Sequence, residues 1–366
     1  MDAACALLAG ATTVLLIARL RKLSSAWPAE CLGHSSRKPG ANGTIDAMDA
    51  TTFRRALKAA VDADAPILID GGLATQLEAQ GADLSDRLWS ARLLADDPAQ
   101  IVAAHAAFFR AGARVATTAS YQATFEGFAS RGIDRAGAEA LLRRSVELAE
   151  RARAQVAAED REGGRLPERR FVAASVGPYG AMLADGSEYR GNYGRTVVQL
   201  RDFHRDRLRV LAATAADVLA VETIPEVEEA TAVVELLPEV EGAAAWISFS
   251  CRDGGRLRSG APIEEGVGAV DGAPGVVAVG VNCTAPEHLD ELVARLRAAT
   301  ALPVVVYPNS GEGWDAVGRR WEGTGRGRVD ADAARRWRGF GARLIGGCCR
   351  VTPDQIAALG PALTAG

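Results

Sequence analysis

From Thr51 onward the chain alternates between two hydrophobic patterns. Short apolar runs recur at Pro66–Ile69, Arg114–Thr117, Phe171–Val176, Asp217–Val221, Ala244–Phe249, Val276–Val281, Pro303–Tyr307 and Ala342–Ile345. Segments with helical spacing of apolar residues lie between them, at Pro98–Ala111, Arg135–Ala158, Arg195–Ala215, Glu226–Leu236, Glu287–Ala299 and Ala331–Gly339, with Pro353–Leu363 after the last run. Ile263–Val270 is a weaker helical segment. Runs that stay apolar at consecutive positions are strands buried on both faces, as in parallel sheets. Eight such strands alternating with helices predict an α/β fold, a (β/α)8 TIM barrel, over residues 48–366. A doubly wound open sheet is the alternative. Asp70-Gly71-Gly72-Leu73 after the first run does not supply the Gly-x-Gly-x-x-Gly spacing that a dinucleotide-binding version requires.

Residues 1–47 differ. Ala3–Ala18 is apolar but diluted by Gly10, Thr12 and Thr13, and Arg19, Arg21 and Lys22 follow it. The run is short of the roughly 20 residues of a membrane span and lacks the basic start of a secretory signal. We read 1–47 as a leader or disordered extension outside the fold, with Met48 as an alternative start. The expected location is cytoplasmic; targeting or anchoring by residues 1–22 is the other reading.

Polar and special residues fall where the apolar runs stop. They are Asp70-Gly71-Gly72, Thr118 to Gln122, Ser175 to Pro178, Glu222-Thr223, Ser248 to Cys251, Asn282-Cys283, Asn309-Ser310 and Cys348-Cys349. Barrel enzymes build their sites at these carboxyl ends. Cys283, Cys348 and Cys349, brought together there, would form a sulfur-rich Zn²⁺ site with one corner open for a thiol substrate. Each cysteine taken alone is more simply a small buried hydrophobe. Cys251 is the rival third ligand, but the turn Arg252-Asp253-Gly254 after it favours packing. Gly346 and Gly347 are expected to let the backbone aim both adjacent sulfurs inward. Glu222, ending an apolar strand, needs a cationic partner, either a ligand ammonium or a barrel arginine; Asp70 has the same two readings. The Gly71 and Gly72 amides are candidates to hold a ligand carboxylate, or else form a simple βα turn. Thr118, Ser120 and Gln122 are candidate polar contacts, or else cap and fill the barrel mouth. Asn282 joins the substrate-binding set, and Tyr121, Tyr179 and Trp314 are rim aromatics that suit a cation or, taken singly, packing.

Composition narrows the chemistry. A net charge of −4, with lysine only at 22, 38 and 58, gives no reason to expect a nucleic-acid partner. Six irregularly spaced cysteines in 366 residues suggest reduced thiols rather than a disulfide framework. Histidines occur only at 34, 105, 204 and 288, none at a strand end, and no lysine lies beyond 58. A barrel hydrolase or aldolase with structural cysteines therefore lacks its base or Schiff-base residue. His105 lies in a helical pattern and reads as structural. The oligomeric state is not legible.

With these motifs the chain resembles the homocysteine S-methyltransferase family. The likeness rests on Leu68 to Thr75, Thr117 to Thr124, Ser175 to Gly180, Glu222 to Pro225, Gly280 to Thr284, Tyr307 to Glu312 and Gly346 to Cys349. It covers about Ile67–Leu359 and is nearest the branch that uses S-methylmethionine. The resemblance implies a TIM barrel, zinc on Cys283, Cys348 and Cys349, and L-homocysteine as acceptor, held in part by Glu222 and Asp70. It implies S-methyl-L-methionine as donor, S-adenosylmethionine as a further donor, and L-methionine as product. A related thiol or selenol methyltransferase with another donor, such as betaine, is the alternative.

Overall fold

The structure, a computed structural model, describes residues 50–84, 88, 90–240, 242–315, 320–322 and 328–364. The 1–47 leader and the side chain of Trp314 lie outside the described residues. The described residues belong to one compact unit.

Eight parallel strands form the barrel: β1 (Ile67–Leu68), β2 (Val115–Thr117), β3 (Phe171–Val176), β4 (Val218–Ile224), β5 (Ala245–Phe249), β6 (Val276–Asn282), β7 (Val304–Tyr307) and, after a short antiparallel hairpin of β8 (Gly313–Asp315) and β9 (Arg320–Glu322), β10 (Ala342–Ile345). They pair in the order β1-β10-β7-β6-β5-β4-β3-β2. A single parallel bridge, Ile69 to Val115, brings β1 back to β2. All eight predicted strands are present, so the closed barrel replaces the open-sheet alternative. The predicted helices are present with ends shifted by a few residues, and Ile263–Val270 is helical. Short helices at Leu73–Ala79, Ser90–Asp96, Phe125–Ala129 and Tyr179–Leu183 were not predicted. They run five to seven residues, too short to show a helical period.

Strand side chains alternate between two layers. In β4, Leu219 and Val221 pack outward with the helices, while Val218 and Ala220 join Phe171, Ala173, Trp246, Ala278, Val305 and Leu344 inside. Helix Thr51–Asp62 packs Phe53 against this inner layer. Its ring lies 5.3 Å from Phe171 and 6.2 Å from Trp246. One step further along each strand, the same alternation brings Ser175, Glu222, Ser248, Asn282 and Tyr307 inward.

The inner wall is tight at Gly280, where an added methyl would collide with the Val305 carbonyl on the paired strand. Gly280→Ala is therefore expected to cost on the order of 3 kcal/mol. The corresponding fall in the thermal midpoint is about 5 °C, measurable by calorimetry. An unchanged midpoint would mean that β6 and β7 yield easily there.

Candidate metal and substrate site

Cys283 follows β6, and Cys348 and Cys349 follow β10. Their sulfurs lie within 4.8 Å of one another. Cys349 Sγ is 3.8 Å from Cys283 Sγ and 3.9 Å from Cys348 Sγ. Cys283 Sγ and Cys348 Sγ lie in direct contact. The fold brings these two sulfurs into bonding contact, and such a pair can serve as metal ligands only when reduced. Cys251 stays apart. It is free and buried, its backbone amide donates to Thr284 Oγ1 at 2.9 Å, and burial holds its thiol well above the usual range. The assignment of Cys251 to packing stands.

The backbone that aims these sulfurs differs from expectation. Cys283, Thr223 and Arg350 adopt left-handed conformations, with φ of 45°, 62° and 69°. Gly346 and Gly347 do not. They are glycine for want of space, since a Cβ at 346 would meet Ile69 and the Asp70 carbonyl, and one at 347 would meet Val351. The Gly347 amide donates to the Asp70 carbonyl at 2.9 Å and the Cys348 amide to the Pro308 carbonyl at 2.7 Å, so neighbouring strand ends hold the cysteine turn.

Asn282 clamps this arrangement. Its Oδ1 accepts from the Thr223 amide at 2.7 Å, and its Nδ2 donates to Thr223 Oγ1 at 2.8 Å and reaches Cys348 Sγ at 4.0 Å. The register shift of β4 against β5 between Val221 and Ile224 marks a bulge at Glu222-Thr223. Bulges re-aim side chains at barrel rims. Asn282 thus ties the bulge carrying Glu222 to the cysteine trio.

Glu222 is nearly fully buried and accepts from Ser175 Oγ and the Tyr307 hydroxyl, which is itself 3.0 Å from Trp246 Nε1. Burial pushes its carboxyl up to about 7, against the pull of those hydrogen bonds. Asp70 is also buried and is pushed up to about 8, mainly by burial. Its Oδ2 accepts from the Thr117 amide at 2.7 Å and its Oδ1 from Thr117 Oγ1 at 3.0 Å. Asp70 therefore continues the β1–β2 pairing where the strands part. Neither carboxylate pairs with an arginine among the described residues.

One expectation is corrected here. The Gly72 amide donates to the Val351 carbonyl at 2.9 Å and so is not free for a ligand carboxylate. A Cβ at Gly72 would lie 2.8 Å from the Cys348 carbonyl, and one at Gly71 would lie 2.8 Å from Phe108, so both glycines admit close packing against the cysteine turn. Thr118 is tied into the wall, its Oγ1 lying 2.7 Å from Ser120 Oγ and accepting from the Ser175 amide at 3.0 Å. Ser120 Oγ in turn donates to the Ser175 carbonyl at 2.7 Å. Gln122 Nε2 donates to the Ala181 carbonyl at 3.0 Å, which leaves its Oε1 without a partner.

Sequence reasoning missed the loop after β3. Tyr189 hydrogen-bonds to Cys349, and the Arg258 guanidinium stacks 5.3 Å from its ring. The signal available was the polar run Gly186-Ser187-Glu188-Tyr189-Arg190-Gly191 in a segment without helical period. Of the expected rim aromatics, Tyr121 hydrogen-bonds to Thr223, and Tyr179 packs on Tyr193 and Phe203 at 5.4 and 5.1 Å. His105 is fully buried in helix Pro98–Arg110, away from the cysteines, as expected.

The donor set fits a soft cation. Burial, and next the Glu222 charge, push the Cys349 thiol up to about 12, so it stays protonated unless a positive charge sits against it. No His, Asp or Glu joins the three sulfurs as a fourth ligand among the described residues, which leaves a coordination position for substrate. Fold and site together define a (β/α)8 barrel that carries a candidate three-sulfur metal site at the carboxyl ends of its strands.

The comparisons agree. The family model described as homocysteine S-methyltransferase matches residues 67–363, and the chain belongs to that family. It is 49% identical over 304 residues to the homocysteine S-methyltransferase of Escherichia coli, covering 83% of this chain and 97% of the relative. It is 44% identical over 301 residues to the selenocysteine Se-methyltransferase of Brassica oleracea, covering 80% and 87%. The metallated form of the Escherichia coli homocysteine methyltransferase MmuM superposes with a TM-score of 0.74 at 46% identity, covering 83% of this chain and 99% of that one. Among the described residues no helix is long and apolar enough to cross a membrane.

Proposed function

We propose that this protein transfers a methyl group from S-methyl-L-methionine to the sulfur of L-homocysteine, with zinc held by Cys283, Cys348 and Cys349. The observation that carries the reading is the trio of sulfurs within 4.8 Å beside a buried, arginine-free carboxylate at Glu222. Zinc bound there would lower the pKa of the substrate thiol, so that it is a thiolate at neutral pH without a general base.

The chain's own residues do the rest. Ionised Glu222 pairs with the α-ammonium of homocysteine, and Asp70, oriented by Thr117, supports it. Gln122 presents an unpartnered acceptor, and Thr118 shapes the wall through Ser120 and Ser175. Asn282 fixes the bulge that carries Glu222 and the turn that carries the sulfurs. The barrel mouth keeps water from the reacting atoms. The acceptor sulfur forms its new S–C bond as the S–C bond of the sulfonium breaks, and the electron pair leaves on a neutral thioether. Two uncharged thioether groups result, so positioning rather than acid–base work is what the protein must supply. The likeness to a selenocysteine methyltransferase supports a selenol as a second acceptor class.

Purified, reduced protein is expected to convert L-homocysteine and S-methylmethionine to methionine, to lose this activity to a strong chelator and to regain it with zinc. Equal turnover in metal-free protein would remove the metal from the mechanism. Turnover with betaine in place of the sulfonium would overturn the donor.

A further inference from the structure

Two amino-acid substrates bring two α-ammonium groups to this barrel, and two of its buried carboxylates already have hydrogen-bond partners in the wall. Asp70 is held by Thr117, and Glu222 by Ser175 and Tyr307. A third, Glu188, is 8% exposed on the loop after β3. It takes a hydrogen bond from its own backbone amide, while its Oε2 has no partner. An ionised carboxylate buried in that way is costly without a cation. The nearest cation, Arg190, acts on it through space but makes no hydrogen bond to it. Asp185 is negative, and Arg190, which is exposed, is directed at Asp185 and Ser187.

Glu188 lies close to the cysteine cluster. Its charge is felt by Tyr121, Tyr193 and Cys349, and its neighbour Tyr189 hydrogen-bonds to Cys349. The loop is packed tightly at Gly180, where a Cβ would lie 2.5 Å from the Glu188 amide and 2.7 Å from the Tyr193 hydroxyl. The next residue, Ala181, accepts from Gln122 Nε2, so the orphaned Gln122 Oε1 borders the same loop.

We propose that Glu188 is the binding residue for the α-ammonium of the methyl donor, with Gln122 Oε1 as a second acceptor and the rings of Tyr121 and Tyr189 beside the sulfonium. This rests on the proposed sulfonium amino-acid donor. The division of labour follows from charge. The sulfonium loses its charge in the transfer, so a carboxylate against it would favour the reactant over the transition state. The ammonium keeps its charge throughout, so a carboxylate against it strengthens binding without opposing the reaction. Ring faces attract the sulfonium more weakly and release it more readily.

The test is steady-state kinetics of the zinc-loaded full chain with Glu188→Gln, using two sulfonium donors. S-methylmethionine carries the ammonium; dimethylsulfoniopropionate lacks it. The expected result is a KM for S-methylmethionine raised about 10- to 100-fold, the loss of one charged hydrogen bond. Its kcat, the homocysteine KM and kcat/KM for dimethylsulfoniopropionate should all stay near wild type. Glu188→Asp, which keeps the charge, should recover part of the loss. Equal losses with both donors, including losses from a poorly folded Gln variant that Asp does not rescue, would make Glu188 structural and overturn the assignment. A raised homocysteine KM alone would move it to the acceptor side and also overturn it. Wild-type protein inactive with S-methylmethionine would sink the donor reading itself, a result distinct from a wild-type-like Glu188→Gln.

Discussion

Cys349→Ser should strip the protein of metal and lower turnover by more than the roughly 10- to 100-fold that outer-shell changes at a metal site cost. A serine hydroxyl is a harder and far less acidic donor than a thiol, so two sulfurs and one alcohol make a poor site for a soft cation. Cys283→Ser and Cys348→Ser should behave alike, because the three sulfurs lie within 4.8 Å and share one ion. Cys251→Ser should keep both metal and activity, its thiol being buried outside the trio. Metal content by elemental analysis, measured on reduced protein beside the methionine assay, decides this. Stoichiometric zinc in any one of the trio variants would show that the ion sits elsewhere.

The second large effect is expected at Glu222. Glu222→Gln keeps the shape and an acceptor oxygen for Ser175 or Tyr307 but removes the charge that pairs with the homocysteine ammonium. The KM for homocysteine should rise about 10- to 100-fold, the worth of a charged hydrogen bond. The pH dependence gives an independent reading. Burial pushes this carboxyl up to about 7. Below that pH it is neutral and cannot pair with the ammonium; above it, it is ionised and can. In the wild type, kcat/KM for homocysteine should fall about tenfold per unit as pH drops below that value. In Glu222→Gln that limb should be absent. An unchanged KM with the limb intact would leave Glu222 a wall residue only.

Strand parity explains why so much of this site could be read in advance. Once Val218 and Ala220 are known to face inward, Glu222 must follow them, and Ala278 points to Asn282 in the same way. The cysteines were legible because a barrel gathers its strand ends, however far apart they stand in the chain. The misreadings have a common cause. Gly71 and Gly72 looked like a ligand cradle, but the Cys348–Val351 turn packs against them and takes the Gly72 amide. Gly346 and Gly347 looked like flexible joints, while the unusual backbone falls on Cys283, Thr223 and Arg350. Each depends on a neighbour distant in sequence, and local pattern carries no trace of it.

The alternation of apolar runs and helical segments was enough to determine a parallel sheet covered by helices, because parallel strands need helical crossovers and buried faces; the bridge from Ile69 to Val115, which closes it, is tertiary. The residue types at the strand ends were enough to point to thiol-metal chemistry. Tertiary structure alone decided which donors and acceptors remain free once the wall has taken its share: Asp70 bound by Thr117, Glu222 aimed by a bulge that Asn282 holds, and Glu188 left with an unpartnered oxygen. Hydrogen-bond satisfaction is a property of packed surfaces, and only the folded chain brings those surfaces together.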